Sequence, residues 1–159
     1  MQKNHIVIDS NGNLEDSLPL AVVDTSYFAS ALLSEFTSDE SSVSRDFLQD
    51  LIQKNGQIIV PQLFWFEIGN VLLNAAKPQK NGAPARITKA QTDAIFMSIA
   101  ELPIYTDLQP DSEIRARIFS IAQAENLTYY DATYLELARR KDVPLKTWDA
   151  DLARTAQNS

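Results

Sequence analysis

The chain has 159 residues, enough for one well-formed core, and no cysteine, which excludes thiol catalysis, sulfur-ligated zinc and iron–sulfur clusters. A single histidine, His5, and four scattered glycines argue against a Ser-His-Asp triad, a histidine-rich metal site and a glycine-rich phosphate loop. The net charge of −7 argues against nucleic-acid binding, because phosphate groups are normally held by cationic surface.

Residues 1–20 are predicted to form a short N-terminal appendage. The segment "HIVI" reads as a strand and "DSNG" as a turn, so Asp9 is expected to serve that turn rather than catalysis. The first residues lack the apolar region of a signal peptide, and no later apolar run is long enough to span a membrane. We therefore expect a cytoplasmic protein with no membrane partner.

From residue 21 onward the pattern alternates between strands and helices. Strands are predicted at 20–24, 57–61, 103–106 and 143–147. Helices are predicted at 25–36, 41–54, 62–76, 88–102, 111–126, 128–142 and 149–157. This alternation predicts one α/β domain over residues 21–159, with a mostly parallel sheet of about four or five strands and helices on both faces.

Asp24 follows a buried strand and precedes a helix that returns across the sheet. Ligands of open α/β sheets bind at this carboxyl end of the strands. Thr25 and Ser26 open the helix, so a plain N-cap role for Asp24 is the alternative.

Three further carboxylates stand at positions that favour function. Glu67 lies in an otherwise apolar helix with Asn70 on the same side, and a lysine or arginine partner is the alternative explanation. Asp131 opens a helix and Asp149 follows the last strand, where N-capping is again the alternative. Asp151, two residues after Asp149, is a weaker candidate of the same kind.

These four acids are expected to meet, because Asp24 and Asp149 end strands and the helix of Asp131 should start at the same edge. Anions about 5 Å apart repel by roughly 3 kcal/mol per pair at an effective dielectric near 20, so such a cluster needs protons or a cation. Oxygen ligands without histidine or cysteine select Mg²⁺ or Mn²⁺, and these ions suit phosphate-ester chemistry.

Four segments give the sequence a family resemblance: "VVDTSYFASALL", "VPQLFWFEIGNVLL", "AQAENLTYYDATYLELA" and "VPLKTWDADLARTA". In order and approximate spacing they resemble the PIN-domain ribonucleases, most closely the VapC-type toxins of toxin–antitoxin pairs. The likeness covers about residues 21–157, and the last two segments are its most specific part. It departs from the family pattern in the residues that precede the first strand and in Lys146, where the final strand is usually apolar.

The resemblance implies a PIN-like three-layer α/β/α sandwich. It implies a catalytic, metal-binding set of four acids and a group of supporting polar residues. The acids are Asp24, Glu67, Asp131 and Asp149, and the supporting residues are Thr25, Ser26, Asn70 and Thr147, with Asp151 as the weaker candidate. It also implies Mg²⁺ or Mn²⁺, cleavage of single-stranded or loop RNA by metal-activated water, a homodimer and an antitoxin partner.

The charge objection is weakened by one local feature. Residues 68–92 contain no acid but four basic residues, which could hold an RNA backbone. These are Lys77, Lys80, Arg86 and Lys89, with residues 139–141 as a further basic run. For the aromatic runs at 64–66 and 129–130, core or dimer packing is favoured over base stacking.

Other functions are compatible with parts of the sequence. A non-catalytic PIN-like module that binds protein or RNA is the first alternative. A receiver-like or HAD-like phosphotransfer domain would need acidic pairs that "VVDTSY" does not offer. A DNA structure-specific nuclease would need clamps for which the chain is short.

Overall fold

The fold is described from a computed structural model. It describes residues 19–33 and 38–157, together with the backbone of two short strands, β1 (Val7–Ile8) and β2 (Leu14–Glu15). These two strands pair antiparallel, with Val7 opposite Glu15, inside the segment predicted as an appendage. The predicted turn at 9–12 and the predicted end of the first helix at 34–36 lie outside the described residues, and the division at residue 20 stays a prediction.

A four-stranded parallel sheet forms the centre of the described structure. Its strands are β3 (Leu20–Val23), β4 (Gln57–Val60), β5 (Ile104–Thr106) and β6 (Leu145–Lys146). They lie in the order β5-β4-β3-β6, and every neighbouring pair is parallel. Because all four strands point the same way, their carboxyl ends share one edge, where Asp24 directly follows β3.

Seven helices flank this sheet in the described part of the chain, and the predicted α/β sandwich is confirmed. They are α1 (Thr25–Leu32), α2 (Ser38–Gln53), α3 (Leu63–Ala75), α4 (Lys89–Ala100), α5 (Ser112–Glu125), α6 (Tyr129–Lys141) and α7 (Ala150–Gln157). None of the described helices is long and apolar enough to cross a membrane.

Local signals set most helix ends. Thr88 caps α4 through a capping box with Gln91, and Asp111 rather than Ser112 caps α5. At their C-termini, α5 and α6 end on Asn126 and Asp142, both in the left-handed conformation with φ of 54° and 55°. Short polar side chains tolerate this conformation better than branched ones, which explains why these two helices stop there.

The core lies between the central strands and the flanking helices. Val22, Val23 and Ile58 are fully buried, as expected for strands covered on both faces. Phe28 of α1 meets Phe64 of α3 edge to face, with ring centroids 5.2 Å apart. Burial of each such side chain contributes roughly 1.5–3 kcal/mol, so the core holds the start of α1 and α3 rigidly beside the sheet edge.

Lys146, the departure noted in the last strand, has a specific place in this packing. Its ammonium lies 4.7 Å from the centroid of the Phe47 ring of α2. A cation over an aromatic face is favourable by about 0.5–1 kcal/mol or more, so a lysine fits a position that is usually apolar.

Candidate functional site

Asp24 lies buried at the carboxyl end of β3, with 6% of its surface exposed. Its Oδ1 accepts hydrogen bonds from the Tyr27 backbone N–H at 2.9 Å and the Ser26 hydroxyl at 2.8 Å. Its Oδ2 accepts one from the Thr147 hydroxyl at 2.5 Å. Asp24 therefore caps α1, which was the alternative role predicted from the sequence. Its second oxygen is bonded to Thr147, just after the last strand.

Burial raises the pKa of Asp24, although three donors stabilise its charged form. The nearby carboxylate of Glu67 raises the pKa further. No lysine or arginine in the described ranges forms an ion pair with Asp24. The site thus holds a buried acid whose negative charge is compensated by dipoles alone.

Glu67 projects from α3 toward the same place. Its Oε2 accepts hydrogen bonds from the Thr25 hydroxyl at 2.8 Å and the Tyr134 hydroxyl at 2.6 Å. Those two hydroxyl oxygens are 3.0 Å apart. Among the described residues Glu67 has no lysine or arginine partner, so the ion-pair explanation for this acid is wrong; its partners are hydroxyl groups.

Tyr134 of α6 is the site residue that the sequence analysis missed. It is 2% exposed, and burial together with the adjacent Glu67 carboxylate raises its pKa, so its hydroxyl remains a neutral donor. One signal could have found it: Tyr134 follows Asp131 by three residues, so both lie on one side of the helix.

Thr147 connects Asp24 to Asp149. While its hydroxyl donates to Asp24, the same oxygen accepts the Asp149 backbone N–H at 2.9 Å. The exposed Asp149 carboxylate accepts the Leu152 N–H at 2.8 Å and so caps α7.

Asp131 lies in the first turn of α6 but does not cap it. Thr128 is the N-cap, accepting the Asp131 N–H at 3.1 Å and donating to Asp131 Oδ2 at 2.5 Å. Because α6 runs back along the sheet to β6, its N-terminus lies at the edge that carries Asp24. The carboxylate is partly exposed there.

The remaining predicted residues have different surroundings. Ser26 joins the site, since its oxygen also accepts the Trp148 backbone N–H at 3.0 Å. Asn70 is exposed on α3, and its side chain makes no hydrogen bond within the described residues. Asp151 is exposed and pairs with Arg154 at 2.7 Å, so its present role is at the surface of α7.

The side-chain atoms of these acids that could bind a metal are all oxygens, and oxygen ligands suit a hard divalent cation. In the present arrangement, however, the described residues contain no group of three or more acids positioned to hold a metal ion. Asp24 and Glu67 lie near each other, since the Glu67 carboxylate raises the pKa of Asp24 and the Thr25 hydroxyl that donates to Glu67 is on the residue after Asp24. Asp131 and Asp149 lie at the same edge with their carboxylates bonded at helix starts. The structure thus brings two of the four acids together.

The basic residues predicted for RNA contact are exposed in and after the 77–87 loop, although Lys89 pairs with Asp93 at 2.7 Å. The basic run at 139–141 has acidic partners instead. Arg140 bonds Asp107 and Glu136, and Lys141 lies 3.4 Å from Asp107. The positive charge of residues 139–141 is therefore largely neutralised by acids of the same chain.

A parallel α/β domain with acids at the strand ends that have no lysine or arginine partner among the described residues defines a class of fold rather than one protein. The family follows from a direct comparison: the PIN domain model matches residues 21–158. The chain belongs to the PIN domain family, whose members are generally nucleases, and the predicted resemblance is confirmed. A search among curated protein sequences gave no match.

Solved structures share the fold at low sequence identity. PAE2754 from Pyrobaculum aerophilum is 17% identical, with a TM-score of 0.57 over 89% of this chain and 88% of that one. The sarcin–ricin loop cleaving toxin VapC20 of Mycobacterium tuberculosis is 12% identical, with a TM-score of 0.61 over 85% and 94%. FitAcB from Neisseria gonorrhoeae is 14% identical, with a TM-score of 0.54 over 86% and 93%.

Proposed function

We propose that this protein is a metal-dependent endoribonuclease that hydrolyses phosphodiester bonds in single-stranded or loop RNA. The observation that carries the proposal is the meeting of Asp24 and Glu67 at the strand ends, with hydroxyl and N–H donors but no cationic partner among the described residues. A buried acid with a half-buried acid beside it attracts a cation in this state, because bound positive charge offsets both the burial and the mutual repulsion.

We further propose that Asp24, Glu67, Asp131 and Asp149 together hold Mg²⁺ or Mn²⁺. When bound, such a cation activates water and neutralises charge on the phosphoryl oxygens. Cation binding by Asp131 would compete with its hydrogen bond to Thr128, and cation binding by Asp149 would compete with its hydrogen bond to the start of α7.

The chain's own hydroxyl groups orient the acids. Thr147 and Ser26 fix Asp24, while Thr25 and Tyr134 fix Glu67. Neutral donors hold a carboxylate in place without cancelling its charge, so the site stays pre-organised and anionic. Asn70 and Asp151 are assigned supporting roles around this centre.

The proposed RNA path leads from the acids to the 77–87 loop. Lys77, Lys80 and Arg86 are exposed there, and Lys89 follows at the start of α4. These side chains would hold phosphates in a salt-dependent way, which offsets the acidic total charge of the protein. With RNA as substrate, the proposed location is the cytoplasm.

The proposal extends to a homodimer and a separate antitoxin partner, so that the protein would be the toxin of such a pair. The likeness in fold to VapC20, a sarcin–ricin loop cleaving toxin, supports the assignment. Exposed apolar side chains support an interface: Phe66 and Leu73 lie two turns apart on α3, with 77% and 51% of their surfaces exposed.

A non-catalytic PIN-like module that binds protein or RNA is the second candidate. It is favoured by the hydrogen bonds that tie Asp131 and Asp149 to helix starts and by the lack of a three-acid group among the described residues.

Cleavage assays separate the two candidates. The purified protein is incubated with mixed structured and single-stranded RNAs in Mg²⁺, in Mn²⁺ or in EDTA, beside Asp131→Asn and a surface control, Asp50→Asn. We expect metal-dependent cutting by the wild type and by the control, and a loss of about 100-fold or more in Asp131→Asn. Cutting that survives in EDTA or in Asp131→Asn would overturn the proposal, and binding of RNA without any cutting would support the module.

A further inference from the structure

A cavity of about 190 Å³ extends beside α6 from its N-terminal turn to Arg140. Its lining includes Gln62 and Leu63 at the start of α3, Tyr129 and Tyr130 at the start of α6, and the α5 residues Ile114 and Ile118. Leu108, which follows the end of β5 and is 78% exposed, lines it as well. The end of the cavity that is lined by the starts of α3 and α6 therefore lies at the carboxyl edge of the sheet, where the acidic site is located.

The helices fix the spacing between this cavity and the acids. Leu63 precedes Glu67 by one helical turn, and Tyr130 precedes Tyr134 by one turn, while Glu67 and Tyr134 are hydrogen-bonded to each other. At about 1.5 Å per residue, four residues place Leu63 and Tyr130 roughly 6 Å along the helices from that hydrogen bond. Tyr130 is also the direct chain neighbour of Asp131.

The lining favours a flat, uncharged group. Tyr129 and Tyr130 have 41% and 60% of their surfaces exposed, so their rings are accessible for stacking. The charged side chains of the lining bond to one another: Arg140 binds Asp107 at 2.6 Å and Glu136 at 3.0 Å. A ligand with its own charge would have to compete with those pairs, whereas a neutral ring would not.

The side-chain amide of Gln62 is available to read the edge of such a ring. Gln62 is exposed, and its side chain neither caps α3 nor makes a hydrogen bond within the described residues. A primary amide carries both donors and an acceptor, which matches the mixed donor and acceptor edges of nucleobases. The volume is below the roughly 300–1,000 Å³ of sites for drug-sized ligands, so it suits a single ring system.

We propose that this cavity is a nucleobase subsite, in which an unstacked base of single-stranded RNA lies against Tyr130 and Tyr129 with its edge toward Gln62. The proposal rests on the nuclease function proposed above, and it assigns the selection of cleavage position to residues outside the acidic site. Unpaired bases of RNA are commonly held in this way, stacked on aromatic rings and read along their edges.

Nucleoside 5′-monophosphates test the subsite without any cleavage, because they contain no phosphodiester bond between nucleotides. Each of the four is titrated into metal-free wild-type protein while methyl resonances of Leu63, Leu108 and Ile114 are followed by NMR. We expect shifts at these methyls that differ among the bases. Ribose 5-phosphate, which lacks a base, should give none; equal shifts with ribose 5-phosphate, or no shift with any nucleotide, would overturn the proposal.

Variants test which side chains hold the base. Tyr130→Ala should weaken nucleotide binding about fivefold or more, while Tyr130→Phe keeps the ring and should stay within about twofold of the wild type. Gln62→Ala should reduce the difference among the four bases. Phe119→Ala, which removes an exposed aromatic outside the cavity, should change neither; equal losses in Phe119→Ala and Tyr130→Ala would contradict the assignment.

Two further outcomes separate the subsite from the nuclease and from a peptide site. Base-dependent shifts in a protein that never cleaves RNA would uphold the subsite and overturn the catalytic proposal. Shifts produced by a short leucine- and alanine-rich peptide, with none from nucleotides, would overturn the subsite and identify the cavity as a peptide-binding groove.

Discussion

Two pairs of acids that are wholly or partly buried in the described chain have opposite surroundings. The first pair, Asp107 and Glu136, is 7% and 3% exposed. Arg140 bridges them, with Lys141 beside Asp107 at 3.4 Å and Arg117 beside Glu136 at 3.2 Å. We call these five residues the Asp107 network. Two acids face three cations there, and Arg117 also pairs with Glu113 at 2.7 Å, so the charge of both buried acids is compensated within the chain.

The second pair, Asp24 and Glu67, has no such balance. Its partners are the hydroxyls of Thr25, Tyr134 and Thr147, together with Ser26 and a backbone N–H, and none of them carries charge. Burial accordingly raises the pKa of Asp24. The first pair shows that burial of acids does not by itself indicate a functional site, and the lack of a counter-charge among the described residues is what makes the second pair the candidate.

The largest effect is expected on stability, when Arg140 is removed from the Asp107 network. Arg140→Met leaves Asp107 and Glu136 buried with weaker partners and should lower the free energy of unfolding by about 3 kcal/mol. This value is at the low end for a broken buried ion pair, because Lys141 and Arg117 remain. Urea denaturation measures the loss. Arg154→Met, which breaks an exposed pair, should cost about 0–1 kcal/mol, and equal losses in the two variants would contradict the network's role.

A smaller effect is expected at the second pair, on activity instead of folding. Tyr134→Phe removes one of the two hydroxyls that orient Glu67 and should lower kcat about 10- to 100-fold, with a smaller change in KM, since partners of metal ligands act on this scale. Tyr27→Phe is the matched control, because Tyr27 is also buried but its side chain does not bond Glu67. If both variants cleaved alike, Tyr134 would be only a packing residue.

The smallest effect is a slope of stability with pH in the metal-free protein. Because the folded pKa of Asp24 is raised from its ordinary 3.8, folding binds a proton there. The contribution of Asp24 is fully present below that value and is lost as pH rises through the folded pKa. The stability of the wild type relative to Asp24→Asn should thus fall between pH 4 and pH 7 in EDTA. A relative rise over that window would show that the site binds Asp24 best in its charged form.

Much of the fold was predictable because its signals are local. The apolar run before Asp24 and the capping pattern at Thr88 predict their elements directly, and the strand–helix alternation predicts the parallel sheet. The end of the described α1 at Leu32, short of the predicted end, and the start of α2 at Ser38 were placed less well, since helix ends depend on weak competing contacts.

The site was predictable only in part. Asp24 and Glu67 were found because a carboxylate in an apolar context needs an explanation. Tyr134 was missed because its contact with Glu67 joins residues 67 positions apart, and a tyrosine in a helix resembles core packing. The bond of Arg140 to Asp107 spans 33 positions and was missed for the same reason, although Glu136 in an apolar stretch carried the signal that found Glu67.

A titration with Mn²⁺ followed by calorimetry tests the contrast between the two acid pairs most directly. We predict that the wild type binds Mn²⁺, that Asp24→Asn weakens binding at least about tenfold while keeping the helix cap, and that Asp107→Asn, once shown to be folded, binds as the wild type does. Unchanged binding in Asp24→Asn, or an equal loss in Asp107→Asn, would contradict the claim that the uncompensated pair is the cation site.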